Sequence, residues 1–154
     1  MEIKIRGQSK KRCNYYYKVI RNLIKLLRMK RCLADKVLKI HFKYSGFQEG
    51  DHANFWMPIH SKANTKPKND IVIEVNKGNK GFSYIKDIIH ELIHAKQYLT
   101  GRILYVRAPQ KRGQYVYWKF NKLSKKLDKI SYLARPWERE ARRLEEYYWK
   151  KYRG

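Results

Sequence analysis

A single α+β domain is the fold class the sequence predicts, and three observations lead to it. The 154-residue chain is long enough for one hydrophobic core and too short for two independent ones. Apolar residues recur at every third or fourth position over residues 14–27, 83–101 and 136–148, which predicts three helices. Between and beyond the first two lie runs that alternate apolar with polar residues, or that are rich in β-branched and aromatic side chains. These predict the strands of a small, mostly antiparallel sheet and a hairpin.

Taken in order, residues 1–13 are short, basic and weakly patterned, and are expected to form an arm outside the single domain of residues 14–154. From Asn14 onward, Tyr16, Val19, Ile20, Leu23, Leu26 and Leu27 share one helical face, with Lys18, Arg21, Lys25 and Arg28 between them. This is a basic amphipathic helix whose apolar side is expected to pack on the core. Leu38, Ile40, Phe42 and Tyr44 then alternate with Lys39, His41 and Lys43, the pattern of a half-buried strand. After turn residues at Ser45-Gly46 and Glu49-Gly50-Asp51, the stretch 54–59 is aromatic and broken by Pro58, hence an irregular or edge strand. A polar, lysine-rich loop over 60–70 leads to 71–75 (IVIEV), the clearest strand in the chain.

Asn76, Gly78 and Gly81 turn that strand into the second helix, where Ser83 stands at the capping position and Gly101 where a helix commonly stops. Ile85, Ile88, Ile89, Leu92, Ile93 and Leu99 give this helix a broad apolar stripe, so it is expected to be buried. The runs 103–106 and 115–120 flank Pro109-Gln110-Lys111-Arg112-Gly113 and predict a hairpin with a basic tip. Residues 121–131 stay open between a short helix and a loop. Pro136, at the first helical position, begins the last helix, with Trp137, Ala141, Leu144 and Tyr148 on its buried stripe.

Composition narrows the function classes. The net charge of +24, from 37 Lys and Arg against 13 Asp and Glu, creates a strongly positive field that suits an acidic partner. Lys and Arg interleaved with Tyr and Trp in RGQYVYWKF and EEYYWKKYRG could contact phosphates and stack on bases, so non-specific nucleic acid is a possible partner. Two cysteines, Cys13 and Cys32, are too few for a disulfide framework and form no C-x-x-C pair. The N-terminus lacks an apolar core of signal-peptide length and no run is long enough to span a membrane. The expected setting is cytoplasmic, with association with a virion left open and no membrane partner; the sequence leaves the oligomeric state open.

The chemistry is carried by His90-Glu91-Leu92-Ile93-His94. On a helix the two imidazoles project from one face, as a zinc ligand pair requires, with a carboxylate beside them. Such a site needs a third protein ligand and an open position for water, whose proton Glu91 would take. No histidine follows His94, since His41, His52 and His60 all precede the motif. Of the downstream carboxylates Asp128, Glu138, Glu140, Glu145 and Glu146, the pair Glu138 and Glu140 flank the buried Trp137 and Ala141 positions and both qualify.

HELIHAKQYLTG followed by RPWEREARR resembles the two halves of the gluzincin type of zincin metallopeptidase, especially small phage and prokaryotic members that pair HEL-x-H-x-x-Q with P-W-E-x-E-A. The match covers residues 71–148. It implies a zincin-like fold with a C-terminal ligand-bearing helix. The register of the family's E-x-x-A string selects Glu138 as third ligand, ahead of Ala141, with Glu140 as alternate. The sequence departs from the family at Arg142, where an Asp or Asn often supports the site. The resemblance also implies that the strand 71–76 runs along the cleft and could hold an extended peptide by main-chain pairing. Tyr132, shortly before the last helix, is the chosen oxyanion donor, and Gln97 is read as structural.

The resulting expectation is a zinc-dependent endopeptidase acting on a peptide or protein substrate. Zn2+ is held by His90, His94 and Glu138, with Glu91 and Tyr132 catalytic. The alternatives are a basic nucleic-acid-binding accessory protein on the same scaffold, or a protease acting on nucleic-acid-bound proteins.

Overall fold

The computed structural model describes residues 1–62, 65–79, 83–107, 114–118, 121–122 and 130–154. The predicted hairpin tip at 109–113, the turn residue Gly81, Phe120 and most of the ambiguous stretch 121–131 lie outside the described residues. Within them the chain is α+β, as expected. Three α-helices, α1 (Lys10–Leu26), α2 (Tyr84–Leu99) and α3 (Pro136–Arg153), accompany two four-stranded sheets.

The first sheet has the order β1 (Glu2–Arg6), β2 (Val37–Lys43), β5 (Asp70–Asn76), β3 (Ala53–Phe55). Two expectations are corrected here. Residues 1–13 are not an arm: β1 pairs with β2 from Glu2↔Val37 to Arg6↔His41, and α1 begins at Lys10 rather than Asn14. The cause was present in the sequence, because Ile3 and Ile5 alternate with Glu2, Lys4 and Arg6, the period of a strand with one face on the core. Gly7 then lets the chain leave the sheet. It has φ of +84°, and a Cβ there would lie 1.8 Å from the Phe42 carbonyl oxygen, so no other residue fits.

Nor is this sheet mostly antiparallel. β1, β2 and β5 are parallel neighbours and only β3 runs against them. The reason is connectivity, since α1 carries the chain back between β1 and β2, as a parallel crossover requires. The second sheet, β4 (Ile59–His60), β6 (Ile103–Arg107), β7 (Gln114–Trp118) and β8 (Asn121–Lys122), contains the predicted hairpin as the antiparallel β6–β7 pair.

The core forms where the alternating faces of β2 and β5 meet the helices. Leu38, Ile40, Ile71 and Ile73 are fully buried with Ile20 and Leu23 of α1 and Ile88, Ile89 and Leu92 of α2. Ser83 occupies the N-cap of α2, but its side chain makes no capping bond. Gly101 ends the helix at φ of +72°. Its N–H bonds the Tyr98 carbonyl and the Arg102 N–H bonds that of Gln97, the paired closure that a left-handed glycine permits. Trp137 and Ala141 anchor α3 against this core, so α2 and α3 lie side by side with their polar flanks facing one cleft. No helix among the described residues is long and apolar enough to cross a membrane.

Candidate metal centre

His90 and His94 stand one turn apart on α2, with their Nε2 atoms 3.1 Å from each other. Pro136 starts α3 with its ring at the first helical position, and burial of Trp137 beside Trp118 and Tyr105 sets the orientation of that first turn. The next residue, Glu138, is thereby delivered to the histidines. Its Oε2 lies 3.3 Å from His94 Nε2 and 3.5 Å from His90 Nε2. A tetrahedral ion about 2.0–2.1 Å from each ligand atom spaces those atoms about 3.3 Å apart, so the triangle has the size that such an ion imposes. These three residues can hold a metal ion.

The other nitrogen of each imidazole is engaged. His90 Nδ1 lies 2.7 Å from Glu145 Oε2, and His94 Nδ1 lies 2.9 Å from Gln97 Oε1. Both acceptors take a proton from Nδ1, which leaves the Nε2 lone pairs free to face Glu138 Oε2, itself buried and without a hydrogen-bond donor. Three electron-rich atoms converging in a buried space need a cation among them. Without a metal, a proton serves. Burial disfavours the charged form of His90, but the carboxylates of Glu138 and Glu145 outweigh it and raise its pKa to about 10. Burial also opposes ionisation of Glu138, yet the two imidazoles and the Tyr132 hydroxyl hold its carboxyl far below its ordinary value.

A pH dependence follows from His90. A metal ion binds only the neutral imidazole, so ion binding near neutrality must expel the proton His90 holds. The apparent affinity for zinc is expected to rise about tenfold per pH unit from neutrality until pH approaches the raised pKa of His90. Zinc titrations by calorimetry in buffers of different ionisation enthalpy count that proton; a proton count of zero at neutral pH would show that His90 is already neutral.

Glu140, the alternate third ligand, is placed elsewhere. Its carboxylate accepts from Gln97 Nε2 at 2.8 Å and from Arg102 at 2.7 Å, while Gln97 Nε2 also donates to the Trp137 carbonyl at 3.1 Å. Arg102, Glu140 and Gln97 thus form a chain that ends on His94 and fixes its ring. Gln97, read as structural, holds the ring of His94 in place. Glu145 had no role beyond a place among the downstream carboxylates, yet it is the partner of His90. It also receives Lys86 Nζ at 3.4 Å. The departure at Arg142 is therefore compensated: the acidic support comes from one turn further along α3. Spacing gave a partial signal for both, since Gln97 is three residues after His94 and Glu145 is seven after Glu138.

Glu91 faces the cleft from α2 and its Oε2 accepts the Phe55 N–H at 2.6 Å, which ties the carboxylate to β3. Burial raises its pKa, opposed by the two histidines. Tyr132, in a single 3-10 turn (Tyr132–Ala134) just before α3, lines the cleft beside Glu138. The Arg135 and Arg142 guanidinium groups each lie 5.4 Å from its ring centroid. The remaining histidines lie outside the ligand set. His60 is buried against the Tyr98 hydroxyl at 2.9 Å, and His52 lies 3.5 Å from Asp87 in the cleft wall.

These side chains open into a cleft of about 560 Å³, within the range of small-ligand sites. Its wall on the sheet side is β3, not the strand expected from the resemblance. β5 has β2 on one side and β3 on the other, so it offers no free edge to a peptide. On either side of β3 the His52 carbonyl and the Trp56 N–H bond β5, and within it Asn54 pairs with Glu74. The alternation of an antiparallel ladder then turns the main-chain groups of Ala53 and Phe55 outward.

Comparison of the chain with protein-family models, with curated proteins and with solved structures finds no match in any of the three. The chemistry has to be read from the site itself. It joins a buried three-point cation site, a carboxylate that can exchange a proton beside it, and an open cleft bordered by a strand edge.

Proposed function

We propose that the protein is a zinc-dependent endopeptidase of the gluzincin type, with zinc held by His90, His94 and Glu138. The observation that carries this reading is the meeting of those three ligand atoms at 3.1–3.5 Å with Glu91 in the same cleft. Two imidazoles and one carboxylate are a donor set that suits zinc and leaves it a position for chemistry. Bound there, zinc supplies Lewis acidity that makes water acidic and polarises a carbonyl.

The chain's own residues do the rest. Glu91, held by the Phe55 N–H, takes a proton from the attacking water and passes it to the leaving amine nitrogen. Its raised pKa improves it as the acid of the second step. The Tyr132 hydroxyl, beside Glu138, is placed to donate to the oxyanion that develops on the scissile carbonyl. An extended peptide lies along β3, pairing with the outward N–H and C=O of Ala53.

The test is removal and return of the metal. Protein treated with a chelator is expected to lose hydrolysis of an unfolded substrate such as casein and to regain it with one equivalent of zinc. Full activity in metal-free protein, verified by elemental analysis, would refute the reading.

A further inference from the structure

The carboxylates of this protein are unevenly placed. Asp87, Glu91, Glu138 and Glu145 line the cleft, whereas no acidic residue occurs between Glu2 and Asp35, the stretch that contains α1. The outer surface of α1 carries exposed cations, Lys10, Lys11, Lys18, Arg21 and Lys25, with Arg28 continuing just past its end. Among the described residues none of them forms an ion pair with a carboxylate. Aromatic rings stand among them: Tyr15 is 53% and Tyr17 41% exposed, and the Arg21 guanidinium sits 5.8 Å from the Tyr17 ring.

The surface continues onto α3. The two helices touch, and Tyr152 in the last turn of α3 lies within electrostatic reach of Tyr15. On the same C-terminal turns of α3, Tyr147 is 50% exposed with Lys151 Nζ 4.7 Å from its ring. Lys150 is roughly 18 Å along the helix from Glu138, so this surface is separate from the metal centre.

We propose that the outer face of α1 and the C-terminal turns of α3 form a binding surface for single-stranded nucleic acid. The cations match a phosphate backbone, and the exposed tyrosines between them give flat surfaces on which unpaired bases stack. A duplex hides its base faces and has no use for those rings. An anionic membrane fits less well, because a helix that lies on lipid must insert an apolar face. The apolar face of α1 is already buried in the core through Val19, Ile20, Leu23 and Ile24. This inference is independent of the peptidase reading and would stand if that reading failed.

The experiment is a fluorescence-anisotropy titration of the full chain with a labelled oligothymidylate of about 20 nucleotides, repeated with a duplex of equal length. Vesicles containing phosphatidylserine serve as competitor. The single strand is expected to bind more tightly than the duplex, and vesicles are expected not to displace it. Tyr15→Ala with Tyr17→Ala is expected to weaken binding at least about fivefold without changing its salt dependence. Lys18→Ala with Arg21→Ala is expected to flatten the slope of log affinity against log salt by about 0.7 for each phosphate that the variant no longer neutralises. All four side chains are exposed, and unchanged circular dichroism and zinc content confirm that the variants fold. Equal or tighter duplex binding, full affinity in the tyrosine variant, displacement by vesicles, or no binding at low salt would each overturn the proposal.

Discussion

Glu91→Gln is expected to keep zinc and fold while lowering peptide hydrolysis by about 10²–10⁴-fold, the range for loss of a general base. The substitution is nearly isosteric, and an amide oxygen can still accept the Phe55 N–H that positions Glu91 Oε2 at 2.6 Å. What is lost is basicity. Glu91 is not one of the three converging ligands, so the metal site itself is untouched. Steady-state rates on a peptide substrate, with zinc content by elemental analysis on the same preparation, measure the two effects separately. A variant that holds zinc and hydrolyses at the wild-type rate would remove Glu91 from the mechanism.

The second large effect distinguishes the two glutamates that flank Trp137 and Ala141. Glu138→Ala removes one of three ligand atoms and leaves an imidazole pair, so zinc affinity is expected to collapse. Glu140→Ala keeps all three ligands but frees Gln97 and Arg102, loosening the ring of His94. Loss of such an outer partner lowers metal affinity by about 10–100-fold. Competition with a chromogenic zinc chelator gives both constants. Weaker binding in Glu140→Ala than in Glu138→Ala would reverse the assignment of α3.

Several features were legible from local pattern alone because they depend on residues close together in the chain. The H-E-x-x-H spacing places His90 and His94 on one face of any helix, and the apolar stripe around it demands a helix. Pro136 followed by a stripe through Trp137 and Ala141 marks the start of α3 and the side it buries. Alternation in 37–43 and the β-branched run 71–75 give two strands, and alternation at Ile3 and Ile5 gives a third, which the basic composition of residues 1–13 obscured.

Other features depend on which segments become neighbours, and no local period encodes that. β1 and β2 are parallel because α1 crosses over between them, and β5 is interior because β3 folds back onto its other side. The free edge that borders the cleft therefore belongs to β3, a strand of three residues with little pattern of its own. The choice of Glu138 over Glu140 depends on the rotation of α3 about its axis, which the burial of Trp137 sets. That rotation directs Glu138 at the histidines, turns Glu140 to Gln97 and Arg102, and brings Glu145 to His90 in place of an acidic residue at position 142. The sequence by itself determined the paired histidines, the glutamate beside them and the helix that carries them, because helical geometry converts spacing into direction. Only the tertiary structure decided that Glu138 meets the histidines, that Glu145 and Gln97 hold their rings and that β3 borders the cleft, because those require the packing of one element against another to be known to within the width of a side chain.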